Sequence, residues 1–412
     1  MLPIPEKRVE DFEKLAFGIF IHWGLYSQLG RGEWAQFCEK IPGEEYRKLQ
    51  KTFTAGDFCA YEYAALAKAA GAKYITFTTR HHEGFSLYDT KGLSTYDAPH
   101  SPAGRDLVRE FVDACHEGGI EPILYHTTLD WYNEYFETDF PKYQQYLRDS
   151  VEILCTNYGR IGGLWFDGNW SKRDADWEED ALYALIRKHQ PDAVIINNTG
   201  IGNEGKTGHP QIDCVTFEQS KADKMNRNGI KKYLAAETCQ TMNAHWGWAK
   251  NDFNRKSIAE LIETLCHSRS AGANYCLNIG PLPQGGIRAI DKAALEEIGA
   301  WIKCCGQSIY NGKVLNVSCE GRDFVLESDG SLYFYVYDLI INGHENVTVN
   351  KSGKGEGWRA INGLRHKIKK ISWLDNNEEL KFEQEQNNFK FFTTGYPYGI
   401  NTVVRVAKAE LE

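Results

Sequence analysis

Hydrophobic positions in the first three-quarters of the chain form short runs that alternate with longer amphipathic segments. The runs FGIFIHW (17–23), YITFTT (74–79) and IEPILYHT (120–127) predict strands, whereas YEYAALAKAAG (61–71) and LVREFVDACHEGG (107–119) predict helices. Further predicted strands cover 162–168, 193–198, 213–218, 233–238 and 274–280, and further predicted helices cover 142–158, 179–189, 257–272 and 293–306. Regular alternation of strands and helices indicates a parallel sheet.

The number of strands favours a closed sheet. We predict an α/β fold in which an irregular (β/α)8-like TIM barrel covers residues 1–312 and a C-terminal β-sandwich covers 313–412. The segments between Asn198 and Glu237 leave little room for helices, so the barrel should be irregular there. A doubly wound open sheet is the alternative, but no G-x-G-x-x-G turn follows the first strand. The sandwich is predicted from strand-like segments at 331–343, 357–374, 380–395 and 401–409.

Composition narrows the possible partners of the protein. The net charge is −9 and no long Lys/Arg cluster occurs, which argues against a nucleic-acid partner. No apolar run approaches the length that spans a membrane, and the N-terminus lacks the apolar core of a signal peptide. Eleven cysteines without a zinc or disulfide spacing indicate reduced core thiols. We therefore expect a cytoplasmic protein, with a secreted protein that has lost its signal peptide as the alternative.

Polar and aromatic side chains recur where the predicted strands end. They are His22, Trp23, Arg80, His81, His82, Tyr125, His126, Asp130, Trp131, Trp165, Asp167, Glu218, Glu237 and Asn278. Barrel enzymes carry their chemistry at the C-terminal ends of the strands. This recurring set therefore predicts an active site at that end of the barrel.

The histidines of this set raise the possibility of a metal site. His22, His126 and either His81 or His82 would supply the three ligands of a catalytic zinc if they converged. Adjacent residues of a strand point to opposite faces, which argues against His81 and His82 binding one ion. No H-E-x-x-H spacing or paired-cysteine element accompanies them. We prefer neutral histidines that bond structural partners or sugar hydroxyls, and we expect no metal and no cofactor.

Asp167 is the sharpest single feature. It ends an apolar strand immediately before Gly168, with Trp165 two residues earlier on the same face. An aspartate here often caps the following helix, which is the simplest structural explanation. A carboxylate beside an aromatic face at a barrel strand end also suits glycoside hydrolysis, in which one carboxylate attacks the anomeric carbon while another protonates the leaving oxygen. From these residues alone both interpretations stay open.

A set of longer segments adds a family resemblance. The segments are FGIFIHWGLYS (17–27), GEW (32–34), TTRHHEGFSLYD (78–89), LYHTTLDW (124–131), GGLWFDG (162–168), ETC (237–239), HWGW (245–248) and ANYCLNIGPLPQGGI (273–287). Together, and in this order, they resemble the family 29 glycoside hydrolases, the α-L-fucosidases. The resemblance implies an irregular barrel followed by a β-sandwich, and a retaining mechanism on fucosylated glycans through a covalent fucosyl intermediate.

The resemblance also implies roles for individual residues. The nucleophile of the family corresponds to Asp167. The implied substrate-binding residues are His22, Glu33, Trp34, His81, His82, His126, Trp165 and Trp246. His126 stands where the family often has tyrosine, and it still supplies a hydrogen bond. Trp246 corresponds to the aromatic residue that packs on the fucose methyl group.

The acid/base partner has three candidates. Glu218, in DCVTFEQ, resembles the acid of the larger branch of the family, and Glu237, in ETC, resembles a family-wide glutamate that is either an acid or a structural anchor. Glu204, in GNE, resembles a loop motif of the branch that acts on branched fucose linkages, but the continuation GKTGHP departs from it. We rank Glu218 first, Glu237 second and Glu204 third. The acid must hold a proton near neutral pH, and the nucleophile must stay ionised.

Two other functions compete with a retaining α-L-fucosidase. The first is a non-catalytic fucose-binding barrel protein, which would lack the acid partner. The second is a metal-dependent hydrolase built on His22, His81 and His126. Linkage, aglycone and oligomeric state are not determined by the sequence.

Overall fold

The computed structural model describes residues 3–223, 231–343, 353 and 355–412. The chain forms two compact units, one comprising Met1–Lys256 and Ala273–Glu296, the other comprising Ser257–Gly272 and Glu297–Glu412. The second unit thus includes segments upstream of residue 312, and the domain boundary at 312/313 stays a prediction. No helix in the described part of the chain is both long enough and apolar enough to span a membrane.

The first unit contains a closed barrel of eight parallel strands in sequence order. The strands are β1 (Phe17–Ile21), β2 (Tyr74–Arg80), β3 (Glu121–Thr127), β4 (Gly163–Asp167), β5 (Val194–Asn197), β6 (Cys214–Glu218), β7 (Ala235–Thr241) and β8 (Asn274–Ile279). Strand β8 pairs with β1 and closes the sheet. The predicted TIM-like barrel is therefore confirmed.

The register of the barrel strands sets the height of each side chain. Tyr125 of β3 pairs with Trp165 of β4, and Thr127 pairs with Asp167. Because successive side chains alternate between the two faces of a strand, Trp165 and Asp167 share the inner face. Trp165 packs in the barrel core with Phe20 and Tyr125, so Asp167 lies above this aromatic layer at the C-terminal end.

Helices connect most of the barrel strands, and the apolar faces they bury explain the amphipathic segments. The helices are α1 (Lys7–Leu15), α2 (Tyr26–Leu29), α3 (Ala35–Cys38), α4 (Gly43–Tyr46), α5 (Ala60–Ala70), α6 (Leu107–Gly118), α7 (Tyr135–Thr138), α8 (Phe140–Asn157), α9 (Glu179–His189), α10 (Ile258–Ser270) and α11 (Ala289–Cys305), with 3₁₀ turns at Arg47–Thr52 and Asn169–Lys172. No helix occurs in residues 198–213, between β5 and β6. The predicted irregularity of the barrel is found there.

The second unit contains two antiparallel sheets, of strand order β10-β13-β16-β15 and β14-β17-β12-β11-β9. The strands are β9 (Lys313–Val314), β10 (Ser318–Cys319), β11 (Phe324–Ser328), β12 (Ser331–Val336), β13 (Gly357–Asn362), β14 (Ile368–Trp373), β15 (Phe382–Glu385), β16 (Asn388–Thr393) and β17 (Arg405–Leu411). Phe334, Trp373 and Phe391 are buried between them. The predicted segment 357–374 is two strands, and β9 to β11 were not predicted because they are short or flanked by polar turns.

Candidate active site

A cavity of about 510 Å³ opens at the C-terminal ends of the barrel strands, wholly within the first unit. It is lined by nine of the twelve predicted site residues: His22, Glu33, Trp34, His81, His82, Trp165, Asp167, Glu218 and Trp246. Three predicted residues, His126, Glu204 and Glu237, do not line it. A groove of about 610 Å³ beside Tyr132 and Tyr146 is larger but contains none of the predicted residues. We therefore assign the candidate site to the smaller cavity.

Asp167 is held in the cavity by side-chain donors. Its Oδ1 accepts hydrogen bonds from Trp170 Nε1 at 2.8 Å and Asn198 Nδ2 at 3.1 Å, and its Oδ2 accepts one from the Tyr125 hydroxyl at 3.1 Å. His82 Nε2 lies 3.5 Å from Oδ2. The 3₁₀ turn that follows has no side-chain cap, so the helix-capping explanation does not hold. These donors hold both carboxylate oxygens of Asp167 in fixed directions, as a positioned nucleophile requires.

Glu218 is the last residue of β6, and the Asn198 side chain lies between it and Asp167. Its Oε2 accepts a hydrogen bond of 2.8 Å from the same Asn198 Nδ2 that bonds Asp167. The two bonded carboxylate oxygens therefore lie at most about 6 Å apart, which suits the roughly 5–5.5 Å of retaining glycosidases better than the ~6.5–9.5 Å of inverting ones. Burial, together with the negative charge of Asp167, raises the pKa of Glu218 to about 7. Such a carboxyl group keeps its proton near neutral pH.

Glu237 lies beneath the cavity. Its Oε2 accepts a hydrogen bond from the Tyr74 hydroxyl at 2.6 Å, and its Oε1 accepts one from Trp165 Nε1 at 2.9 Å. Burial raises the pKa of Glu237 to about 7 as well. Since both oxygens have partners and the residue is fully buried, this geometry suits a structural anchor for Trp165.

Glu204 lies in the connection between β5 and β6. It is partly exposed and does not line the cavity. Hydrogen bonds from the backbone N–H groups of Gly202 and Glu204 itself lower its pKa. This direction is the opposite of what a general acid needs.

His22 presents a defined face to the cavity. Asn278 Nδ2 donates to the carbonyl of Trp246 at 2.7 Å, so its Oδ1 faces the His22 ring and accepts from Nδ1 at 2.7 Å. The proton of the neutral ring is then on Nδ1, which leaves Nε2 as a hydrogen-bond acceptor. Burial lowers the pKa of His22 to about 3, so the ring is neutral at physiological pH.

The rings of His81 and His82 both line the cavity, with their centroids 4.2 Å apart. The expectation that they point to opposite faces was wrong, because β2 ends at Arg80 and the pair lies in the turn that follows. Burial is the main cause that lowers the pKa of His81 well below its usual range, and the nearby His82 adds to it. Burial also lowers the pKa of His82 to about 4. Both rings therefore act as neutral hydrogen-bonding groups.

The structure places His126 outside the cavity, which corrects its predicted role. His126 Nδ1 donates to the carbonyl of Thr127 at 2.7 Å, and its Nε2 lies 3.3 Å from the Tyr88 hydroxyl. The alternation of β3 directs the preceding residue, Tyr125, into the cavity instead. His126 therefore does not converge with His22 and His81. Within residues that the structure describes, no group of three or more His, Cys, Asp or Glu side chains is arranged to hold a metal ion.

Aromatic rings form the floor and the mouth of the cavity. Phe20 packs against Trp165 and Trp246 with ring centroids 5.2 and 5.8 Å away. Glu33 is buried, and its Oε2 accepts a hydrogen bond from the backbone N–H of Gly247 at 2.8 Å, which holds the loop of Trp246. At the mouth, Trp34 packs 5.1 Å from Trp131. These faces suit the apolar side of a sugar ring.

Nine residues that line the cavity had no predicted role in the site, although the sequence analysis named Tyr125 among the side chains at strand ends. They are Phe20, Tyr125, Trp170, Arg173, Asn198, Gly200, Ile201, Gln219 and Ala244. Tyr125 and Asn198 carried a recognisable signal, because each ends or nearly ends a predicted strand. Phe20 lies within β1, and the remaining residues lie in the connecting segments, where the sequence pattern does not indicate the direction of a side chain.

A closed parallel barrel with a carboxyl pair at the C-terminal ends of its strands is the arrangement found in TIM-barrel glycoside hydrolases. The family described as alpha-L-fucosidase matches residues 5–307. The mouse tissue alpha-L-fucosidase is 30% identical over 345 residues, covering 76% of this chain and 74% of that protein. The chain belongs to the α-L-fucosidase family, as its segments predicted.

Solved structures agree with this assignment. Alpha-L-fucosidase isoenzyme 1 from Paenibacillus thiaminolyticus superimposes with a TM-score of 0.84 at 30% identity, over 98% of this chain and 99% of that chain. A family 29 alpha-L-fucosidase from Bacteroides thetaiotaomicron, trapped as a covalent intermediate with 2-fluoro-fucosyl fluoride, has a TM-score of 0.79 at 22% identity over 100% and 98% of the two chains. At that identity the second likeness shows the fold alone.

Proposed function

We propose that the protein is a retaining exo-α-L-fucosidase that removes terminal α-L-fucose from oligosaccharides or glycoconjugates, with Asp167 as nucleophile and Glu218 as acid/base. The observation that carries the role assignment is the shared hydrogen-bond donor, which brings one oxygen of each carboxyl group to within about 6 Å of the other. The covalent intermediate trapped in the B. thetaiotaomicron relative supports the retaining route.

In the first step, an Asp167 oxygen attacks the anomeric carbon of fucose, and the bond from that carbon to the glycosidic oxygen breaks. Glu218 transfers its proton to the leaving oxygen and becomes a carboxylate. A raised pKa of about 7 keeps that proton available near neutral pH. The products are a fucosyl ester on Asp167 and the released aglycone.

In the second step, Glu218 takes a proton from a water molecule that attacks the anomeric carbon. The ester bond to Asp167 breaks, and Asp167 leaves as a carboxylate. Two displacements on the same carbon retain its configuration. Both carboxyl groups return to their starting states, so each cycle converts one fucoside and one water molecule into free fucose and the aglycone.

We assign recognition of fucose to the neutral histidines and the aromatic floor. His22 Nε2 is an acceptor for a sugar hydroxyl, and the His81 and His82 rings line the same side. Trp246 and Phe20 offer an apolar surface to the methyl group. Buried polar groups of this kind discriminate against sugars that lack the matching hydroxyls.

The proposed activity is tested by release of 4-nitrophenol from 4-nitrophenyl α-L-fucoside. We expect turnover by the wild-type protein, with α-L-fucose as the first product detected by NMR before mutarotation. The β-L-fucoside is the control and should not be hydrolysed. No turnover at high enzyme concentration, or β-L-fucose as the first product, would contradict the proposal.

For the compartment, we propose the cytoplasm. All eleven cysteines are free thiols, and Cys38 is exposed, a pattern that suits a reducing compartment. Cell fractionation followed by detection of the protein would test this. Recovery from the medium or from an oxidising compartment would contradict it.

A further inference from the structure

Asn198 is the only side chain described here that bonds both carboxyl groups of the proposed pair. Its Nδ2 donates to Asp167 Oδ1 at 3.1 Å and to Glu218 Oε2 at 2.8 Å. A primary amide nitrogen carries two hydrogens, so one hydrogen serves each carboxyl group. Asn198 is buried with 3% of its surface exposed, so water competes little for these bonds.

The orientation of the Asn198 amide is fixed by hydrogen bonds to its oxygen, on the side away from the two carboxyl groups. Its Oδ1 accepts hydrogen bonds from the Thr216 hydroxyl at 2.9 Å and from the backbone N–H of Gly200 at 3.3 Å. With the oxygen held by two donors, the nitrogen must face the two acids. Thr216 lies two residues before Glu218 on β6, so one strand supports both the acid and the residue that bonds it.

Resting on the proposed function, we propose that Asn198 is a positioning residue that keeps a hydrogen-bond donor on each carboxyl group while negative charge moves between them. In the first step the charge passes from Asp167 to Glu218, as the glycosidic bond breaks and the proton leaves Glu218. In the second step it returns to Asp167. The pair therefore carries one negative charge in each resting state, and Asn198 bonds whichever member carries it.

The two acids differ in how much they depend on Asn198. Asp167 keeps donors from Tyr125 and Trp170 when Asn198 is absent. For Glu218, Asn198 supplies the side-chain bond that lowers its pKa against the effects of burial and Asp167. Loss of Asn198 should therefore raise the pKa of Glu218, which makes it a weaker proton donor to the leaving oxygen in the first step and leaves its carboxylate without a side-chain donor.

The test compares Asn198→Ala and Asn198→Asp with Asn197→Ala. Asn197 is the matched control, because its amide lies outside the cavity and donates to the Tyr183 hydroxyl at 2.8 Å and to Glu179 at 3.2 Å. We expect kcat/KM to fall roughly 10- to 100-fold in Asn198→Ala, the loss typical of a hydrogen bond to a charged group. The loss should be larger in Asn198→Asp, which keeps the shape and replaces the donor with a charge. Asn197→Ala should stay close to wild type.

The pH profile separates positioning from general damage. We expect the basic limb of kcat/KM to move to higher pH in Asn198→Ala, because Glu218 loses a donor to its ionised form. Thr216→Val, which frees the amide without removing it, should give a smaller loss and a smaller shift. Equal losses in Asn198→Ala and Asn197→Ala, or a loss with an unchanged pH profile, would overturn the inference. Inactive wild-type protein would instead overturn the proposed function.

Discussion

Two walls of the cavity contrast in charge. The histidine wall, formed by His22, His81 and His82 after β1 and β2, consists of neutral rings whose pKa values are lowered mainly by burial. The carboxylate wall, formed by Asp167, Asn198 and Glu218 at the ends of β4, β5 and β6, consists of two carboxyl groups that share one amide donor. This contrast underlies our proposal that one wall recognises the sugar and the other breaks the glycosidic bond.

The same burial produces these opposite outcomes. Removing water disfavours the charged form of any group, so it lowers the pKa of a histidine and raises that of a glutamate. The histidines thereby become hydrogen-bonding groups, and Glu218 becomes an acid that keeps its proton near pH 7. His82 joins the two walls, since its Nε2 lies 3.5 Å from Asp167.

We expect the largest loss of activity from a substitution in the carboxylate wall, at Asp167. Asp167→Ala should lower kcat by roughly 10⁴-fold or more on every α-L-fucoside, because no group remains to form the ester. Added azide should not restore retention, since a single displacement on the anomeric carbon inverts it. Asp174→Ala, an exposed residue in the following loop, is the control. Residual activity within tenfold of wild type would show that another group is the nucleophile.

Glu218→Ala should produce a selective loss. On natural glycans, whose leaving groups need a proton, activity should fall by about 10²- to 10⁴-fold. Aryl fucosides with acidic leaving groups should lose less. Glu237→Gln, at a residue with a similar raised pKa beneath the cavity, should lack this selectivity. If Glu237→Gln shows the selective pattern and Glu218→Ala is mild, the acid assignment is wrong.

The contrast between the walls also predicts the pH profile. Glu218 is active in the first step when protonated, so kcat/KM should fall as the pH rises above about 7. On this basic limb the decrease should approach about tenfold per pH unit. The histidines, already neutral there, should add no transition at this pH. The profile of kcat/KM for release of fucose from a fucosylated oligosaccharide, whose leaving group needs the proton, measures this between pH 4 and 9. A basic limb that persists unchanged in Glu218→Ala would assign it to another group.

We expect the smallest losses of kcat/KM from substitutions of histidine, and these compare the histidine wall with His126, which lies outside the cavity. His22→Phe should lower kcat/KM roughly 10- to 100-fold through the lost acceptor, with the basic limb unchanged. His126→Phe should alter kcat/KM much less and lower the thermal stability, because its bonds to Thr127 and Tyr88 are internal. A larger catalytic loss for His126→Phe than for His22→Phe would contradict the placement of these rings.

The sequence alone was sufficient for the fold class and for the family. Apolar runs without alternation predicted the buried parallel strands, because each strand is covered on both faces. Ordered segments such as LWFDG and HHEGF identified the α-L-fucosidases, and these segments together with the residues at strand ends predicted half of the residues that line the cavity. These features depend only on local sequence and on the order of segments along the chain, and both can be read directly from the amino-acid sequence.

Only the tertiary structure decided which side chains meet. The sequence does not show which alternate side chains of β3 point into the barrel. His126 was therefore predicted to line the cavity, whereas the structure places Tyr125 there. Glu218 and Glu237 both end or occupy neighbouring strands, and only their height in the barrel separates an acid in the cavity from an anchor beneath it. Asn198 acquires its proposed role because β4, β5 and β6 are adjacent in space, and strand pairing between distant segments is a property of the folded chain.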